Sequence, residues 1–171
     1  KKARDLFCVQ CCTGVRVGDL KQVIEQYNQK PGRETFSVHM KKTDASVTVP
    51  VMDLIHEVAA RYEGKLPETG ALSRLNKLLR SAAKLSGLFD EEMLKPVLDD
   101  NGQRKMEKVP QYELVTSHAA RRTFATYLVS KGVATRTVMS MTGHKVEREF
   151  NKYVNLNAVE TALKVKELAG L

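Results

Sequence analysis

Tryptophan is absent from the 171-residue chain and aromatic residues make up only 6% of it, but length alone suits one domain that buries a core without staples. No apolar run approaches the roughly 20 residues that span a bilayer, and the N-terminus has no signal-peptide apolar stretch. The expectation is a cytoplasmic protein with no membrane partner. Cysteine is scarce: Cys8, Cys11 and Cys12 sit together in LFCVQCCTG. No second pair and no nearby histidine completes a set of four ligands, so the three read as small apolar residues of a core helix in a reducing compartment. No carboxylate cluster suits a two-metal site, which points to chemistry without metal or other cofactor. Asp and Glu are also missing from Thr116 through Lys145.

That acid-free stretch is where the chemistry gathers. Its cationic character matches the chain as a whole, which carries 28 Lys and Arg against 20 Asp and Glu, a net charge of +8. Such a balance suits a partner bearing many phosphates, although other basic proteins share it. His118 and Arg121 lie three apart at the start of a segment whose Ala125, Leu128 and Val129 have helical spacing. Both side chains therefore leave one helix face and can grip an anion from one side. Tyr153, a candidate nucleophile, closes the stretch.

These residues form part of a longer pattern. His118-x-x-Arg121 is followed by Gly143-His144, and Tyr153 comes nine residues after His144. Upstream lie Thr13-Gly14-Val15-Arg16, Asp19 three residues later, and Lys42 just ahead of the strand-like VTVPV. Each short motif is weak alone; their shared order and spacing resembles the catalytic domain of the tyrosine recombinases, the phage integrase family, over nearly the whole chain. The resemblance implies a mainly α fold with a small three-stranded antiparallel β-sheet (α+β). Residues 1–171 would then be the C-terminal catalytic domain, with a DNA-clamping core-binding domain ahead of it in the family. Ala119 departs from the acid frequent after this histidine in the family, a change that touches no catalytic role.

Within that resemblance Tyr153 is the nucleophile, and it needs help to lose its proton because a phenol titrates near 10. His118 is the base or hydrogen-bond acceptor. Arg16 and Arg121 clamp the non-bridging oxygens, and Asp19 fixes the guanidinium of Arg16. Lys42 protonates the leaving 5′ oxygen from a mobile hairpin, with adjacent Lys41 its competitor. His144 hydrogen-bonds a non-bridging oxygen. Arg122, Lys41 and Lys145 are the candidate DNA contacts. The implied partners are double-stranded DNA, further recombinase subunits in a tetrameric synapse and accessory DNA-bending proteins, in a bacterial, nucleoid-associated setting.

Periodicity predicts helices over Ala3–Cys12, Val51–Tyr62 and Leu72–Leu85, then one carrying His118, one over Thr135–Thr142, a short one before Tyr153 and an amphipathic tail from Leu156 to Leu171. The runs VIEQY, ETFSVHM and SVTVPV read as three strands, and Arg104–Pro110 with Tyr112–Thr116 as a short hairpin. Two other readings compete. A helix-turn-helix regulator would use the helices from Thr116 to Thr142 but leaves Arg16, Lys42 and Tyr153 unexplained. A type IB topoisomerase shares most of the constellation and differs in relaxing supercoils without joining two sites.

Overall fold

The computed structural model describes residues 1–70 and 74–154, together with 166. The expected tail helix from Leu156 lies outside these residues.

Helix α1 (Lys2–Thr13) buries Leu6, Val9 and Cys12, and ends at Gly14, whose φ of 64° closes the helix through a bond from its N–H to the Gln10 carbonyl. A 310 turn over Val17–Asp19 leads into α2 (Leu20–Gln29). Here the structure corrects a strand expectation. Leu20, Val23, Ile24 and Tyr27 are the buried residues, spaced for a helix rather than for a strand. Strand β1 (Thr35–Met40) therefore pairs only with β2 (Ala45–Pro50), in the register Thr35 to Pro50 and Met40 to Ala45. Its outer edge is nonetheless satisfied. The Gln22 amide bonds both backbone groups of His39 at 2.9 Å, and Gln26 bonds those of Ser37 at 2.6 and 3.1 Å. Two glutamines one helical turn apart thus take the place of a third strand.

Phe36, Val38 and Met40 of β1 and Val47 and Val49 of β2 point into the core beside α1, α2 and α3 (Asp53–Ala60), which adds Ile55, Val58 and Ala59. Asp5, fully buried, ties α1 to the end of α3: its carboxylate accepts from Arg61 Nη1 at 2.9 Å, Tyr62 Oη at 2.8 Å and Arg4 Nη2 at 2.7 Å. Helix α4 (Leu75–Ser86) presents Leu75, Leu79 and Ala83 inward.

The second hairpin also differs from expectation. Arg104–Pro110 forms β4, which pairs back with β3 (Glu92–Leu98) from Glu92 opposite Pro110 to Leu98 opposite Arg104. Residues Gln111–Leu114 make a 310 turn instead of a strand. The turn between β3 and β4 is closed by Asp99, whose Oδ1 accepts the N–H groups of Asn101 and Gln103, so the strands flank the Asp-Asp-Asn-Gly turn symmetrically. Among the described residues the fold is thus mainly helical with two two-stranded antiparallel sheets, not one sheet of three.

Helix α5 (Ser117–Ser130) packs along α1. Its Phe124, Ala125 and Leu128 form a second core with Val138 of α6 (Thr135–Thr142) and Phe150 of α7 (Glu147–Asn151). The seam between these two cores carries the site.

Candidate active site

Arg121 is the centre of that seam. At 1% exposure it is the largest fully buried side chain among the described residues. A guanidinium is tolerated there because backbone oxygens receive it: Nη1 donates to the Gly14 carbonyl at 2.7 Å, and Nη2 donates to the Thr142 carbonyl in a short contact. Nε is buried with no partner among the described residues. Two of five N–H groups are thus spent on scaffold, and the guanidinium also meets the Tyr153 hydroxyl. Burial, then the charge of Arg16, pulls its pKa down to about 10, still well above neutral.

Both carbonyls are offered by left-handed glycine turns. Gly14 ends α1 and Gly143 ends α6, with φ of 64° and 65°. A side chain at Gly14 would meet the Phe124 ring at 2.4 Å, so only glycine lets α1 come this close to α5. Gly143 rests on the first hairpin, where an added Cβ would lie 3.5 Å from Val47 Cγ1.

Around Arg121 stand the other expected groups. Tyr153 follows α7, its ring centroid 5.8 Å from the Arg121 guanidinium carbon, 5.0 Å from the His118 ring and 4.5 Å from the His144 ring, both edge-on. Its backbone is held by an N–H bond to Phe150 and by Thr126 Oγ1, which donates to its carbonyl at 3.1 Å. His118, on the exposed side of α5, has its pKa lowered by partial burial first and then by Arg121, Arg122, Arg16 and Lys42. Four cations from three segments therefore direct positive charge at one imidazole, which stays neutral at pH 7. His144 is pushed down to about 4 by burial, then by Arg121 and Arg16, and its Nδ1 lies 2.8 Å from Thr142 Oγ1.

Arg16, half-buried, places Nη1 3.4 Å from Met40 Sδ. Asp19 does not pair with it. The carboxylate is 2% exposed and accepts the Lys41 N–H at 3.4 Å, while its own N–H reaches the Arg16 carbonyl at 2.9 Å. Asp19 thus steadies the base of the turn from Lys41 to Asp44 that holds Lys42. Both lysines are exposed there. Arg122, also exposed, donates to the Lys152 carbonyl at 3.1 Å, and Lys145 lines a groove of about 590 Å3 beside His144 with Arg136 and Ser140. Among the described residues no group of three His, Cys, Asp or Glu is placed to hold a metal, the three cysteines included.

Two contributors escaped sequence reasoning. Thr142 supplies a carbonyl to Arg121 and a hydroxyl to His144, and Met40 supports Arg16; neither carries a motif signal beyond its nearness to Gly143-His144 or to Lys42.

The fold is that of the tyrosine recombinases. Three solved structures share it: XerA recombinase (18% identity, TM-score 0.64, 97% of this chain and 62% of that one), XerH site-specific recombinase in a post-cleavage complex on its palindromic difH substrate (17%, 0.62, 96% and 45%), and the Tn1549 transposon integrase with transposon right-end DNA (15%, 0.57, 98% and 59%). The chain thus spans under two thirds of the length of each. Residues 1–160 match the model of the phage integrase family, and the chain belongs to that family. Among curated protein sequences none matches it.

Proposed function

We propose that this chain is the catalytic domain of a site-specific DNA recombinase that breaks and rejoins strands through a 3′-phosphotyrosine. The observation that carries the reading is the meeting of His118 and Arg121 of α5, His144 beyond the end of α6 and Tyr153 beyond the end of α7. Tyr153 Oη attacks the scissile phosphorus as the bond to the 5′ oxygen breaks. The phenolic proton passes to neutral His118, and Lys42, carried over the site on the hairpin turn, delivers one to the departing oxygen.

Arg16 and the uncommitted N–H groups of Arg121 bind the non-bridging oxygens, on which charge grows toward the phosphorane; attraction that increases along the reaction lowers the barrier. A guanidinium already anchored by two backbone carbonyls needs no reorganisation to do this. Arg122, Lys41 and Lys145 lie on exposed ground suited to the DNA backbone. The phosphotyrosine keeps the energy of the broken bond, so the 5′ hydroxyl of a second duplex can reverse the step and exchange strands. The partners are double-stranded DNA, further subunits on that DNA and DNA-bending accessory proteins, within a bacterial cytoplasm.

The test is incubation with duplexes nicked near candidate cleavage sites, in EDTA, resolved on a denaturing gel and by mass spectrometry. A covalent adduct on Tyr153, lost in Tyr153→Phe, is expected. DNA binding that is equal in both proteins, with no adduct on any duplex, sinks the reading in favour of a regulator; relaxation of supercoils without joining points to a topoisomerase.

A further inference from the structure

Thr142 is fully buried at the end of α6, and its hydroxyl has two close neighbours with incompatible demands. Oγ1 lies 2.8 Å from the Val138 carbonyl, with the Met139 carbonyl at 3.3 Å, and 2.8 Å from His144 Nδ1. A carbonyl only accepts, so the short contact to Val138 requires the hydroxyl proton to lie between the two oxygens. The hydroxyl has no second proton. Its contact with His144 must then be one in which Nδ1 carries the hydrogen and Thr142 accepts it. The backbone fixes this geometry on both sides: the His144 N–H bonds the Met139 carbonyl at 3.0 Å, wrapping the chain around Gly143 so that the imidazole returns over Thr142.

We propose that Thr142 is a positioning residue whose hydroxyl holds neutral His144 as the Nδ1–H tautomer, leaving Nε2 an acceptor that can donate to a phosphate oxygen only after taking up a proton. Nε2 has no hydrogen-bond partner among the described residues. In the DNA-free site, where the imidazole and Tyr153 ring centroids are 4.5 Å apart, this nitrogen is then a lone pair and not a donor awaiting an anion. The titratable groups facing His144 are Arg121 and His118 from α5, Arg16 from the segment after α1 and Glu149 from α7. With His118 neutral, the two arginines outweigh the single carboxylate in disfavouring the imidazolium, so the site stays in the acceptor form. A phosphodiester entering among Arg16, Arg121 and His144 adds the negative charge that reverses this balance, and capture of the phosphate then takes up one proton at Nε2.

The significance for strand cleavage rests on the recombinase reading; the tautomer itself does not, and it is measured without DNA. The 15N-labelled chain is examined by two-bond 1H–15N correlation of its histidines, with His144 assigned from His144→Gln. The expected wild-type pattern at pH 7 is a protonated Nδ1 and a free Nε2, retained in Thr142→Ser, with the two nitrogens exchanging character in most of the population of Thr142→Val. A merely structural role for Thr142 would leave the tautomer alone. An Nε2–H pattern in the wild type overturns the proposal, as does a folded Thr142→Val with the wild-type pattern. If Thr142→Val does not fold, the wild-type and Thr142→Ser spectra still decide. Failure of the recombinase reading would show instead as a missing DNA adduct.

Discussion

Gly14→Ala tests the packing that brings the two halves of the site together. The new methyl carbon would lie 2.4 Å from Phe124 Cδ1, 2.8 Å from Cγ and 2.9 Å from Cε1. Ordinary carbon contacts are about 3.5–4.0 Å, so the ring or α1 must retreat by about 1 Å. Phe124 is fully buried and has nowhere to go. Overpacking of this kind costs about 1–3 kcal/mol, and a non-glycine residue at φ 64° adds about 1–2 kcal/mol. The expected loss is therefore about 2–5 kcal/mol, a large share of the roughly 5–15 kcal/mol typical of a domain. Urea unfolding followed by circular dichroism would read it as a midpoint lower by about 1–2.5 M, for a slope near 2 kcal/mol/M. Because the Gly14 carbonyl also receives Arg121, the residual folded protein should form less covalent adduct on nicked DNA. Phe124→Leu in the same chain removes the clashing ring atoms, so the two substitutions should be less costly together than their sum, by on the order of 1 kcal/mol. A midpoint shift under about 0.3 M, or simple additivity with Phe124→Leu, would refute the steric argument.

Arg121→Lys should destabilise by about 1–3 kcal/mol, because one ammonium cannot serve the Gly14 and Thr142 carbonyls with the geometry of a planar fork; an unchanged urea midpoint would contradict this. Asp5 makes stability depend on pH. Burial pushes its carboxyl up, but hydrogen bonds from Arg4, Tyr62 and Arg61 outweigh that and hold it below its ordinary 3.8. Its stabilising contribution is then complete above that ordinary value and lost as pH falls through the lower native one. The stability gap between wild type and Asp5→Asn should stay constant above about pH 5 and close toward about pH 3; a gap that widens on acidification has the wrong sign. Burial raises the Cys11 thiol to about 12 and Cys12 to about 11, so iodoacetamide at pH 8 should modify both roughly 100-fold or more slower than in urea, since only the thiolate reacts. Labelling at equal rates in the native and unfolded protein would show that the thiols are not shielded.

The candidate residues that meet around Arg121 were legible in the sequence because each motif is local: His118 and Arg121 share a helix face over one turn, Gly143 ends the helix that His144 follows, and Tyr153 lies a short helix away. The boundaries of α6 were equally legible, since Thr135–Thr142 sits between a glycine-bearing turn and the Gly143 stop. What failed were choices between structures that share a composition. Val23 and Ile24 are β-branched and suggest a strand, yet burial with Leu20 and Tyr27 makes the segment a helix, and Gln22 and Gln26 then occupy the sheet edge that a third strand would have used. Arg104–Pro110 could pair forward or back, and the Asp99 turn decides for back. Asp19 carries a charge suited to Arg16, but the fold aims it at the Lys41 backbone.

Residue identity and short-range spacing thus determined by themselves which groups stand as candidates for the chemistry, and their net positive charge. Tertiary structure alone decided how Arg121 can be buried at all. Its partners are backbone carbonyls 107 and 21 residues away, and a carbonyl has the same chemistry at every position, so no residue type marks in advance which ones will receive a guanidinium. Only the close packing of α1, α5 and α6 makes that selection, and with it the setting in which Tyr153 and the two histidines meet.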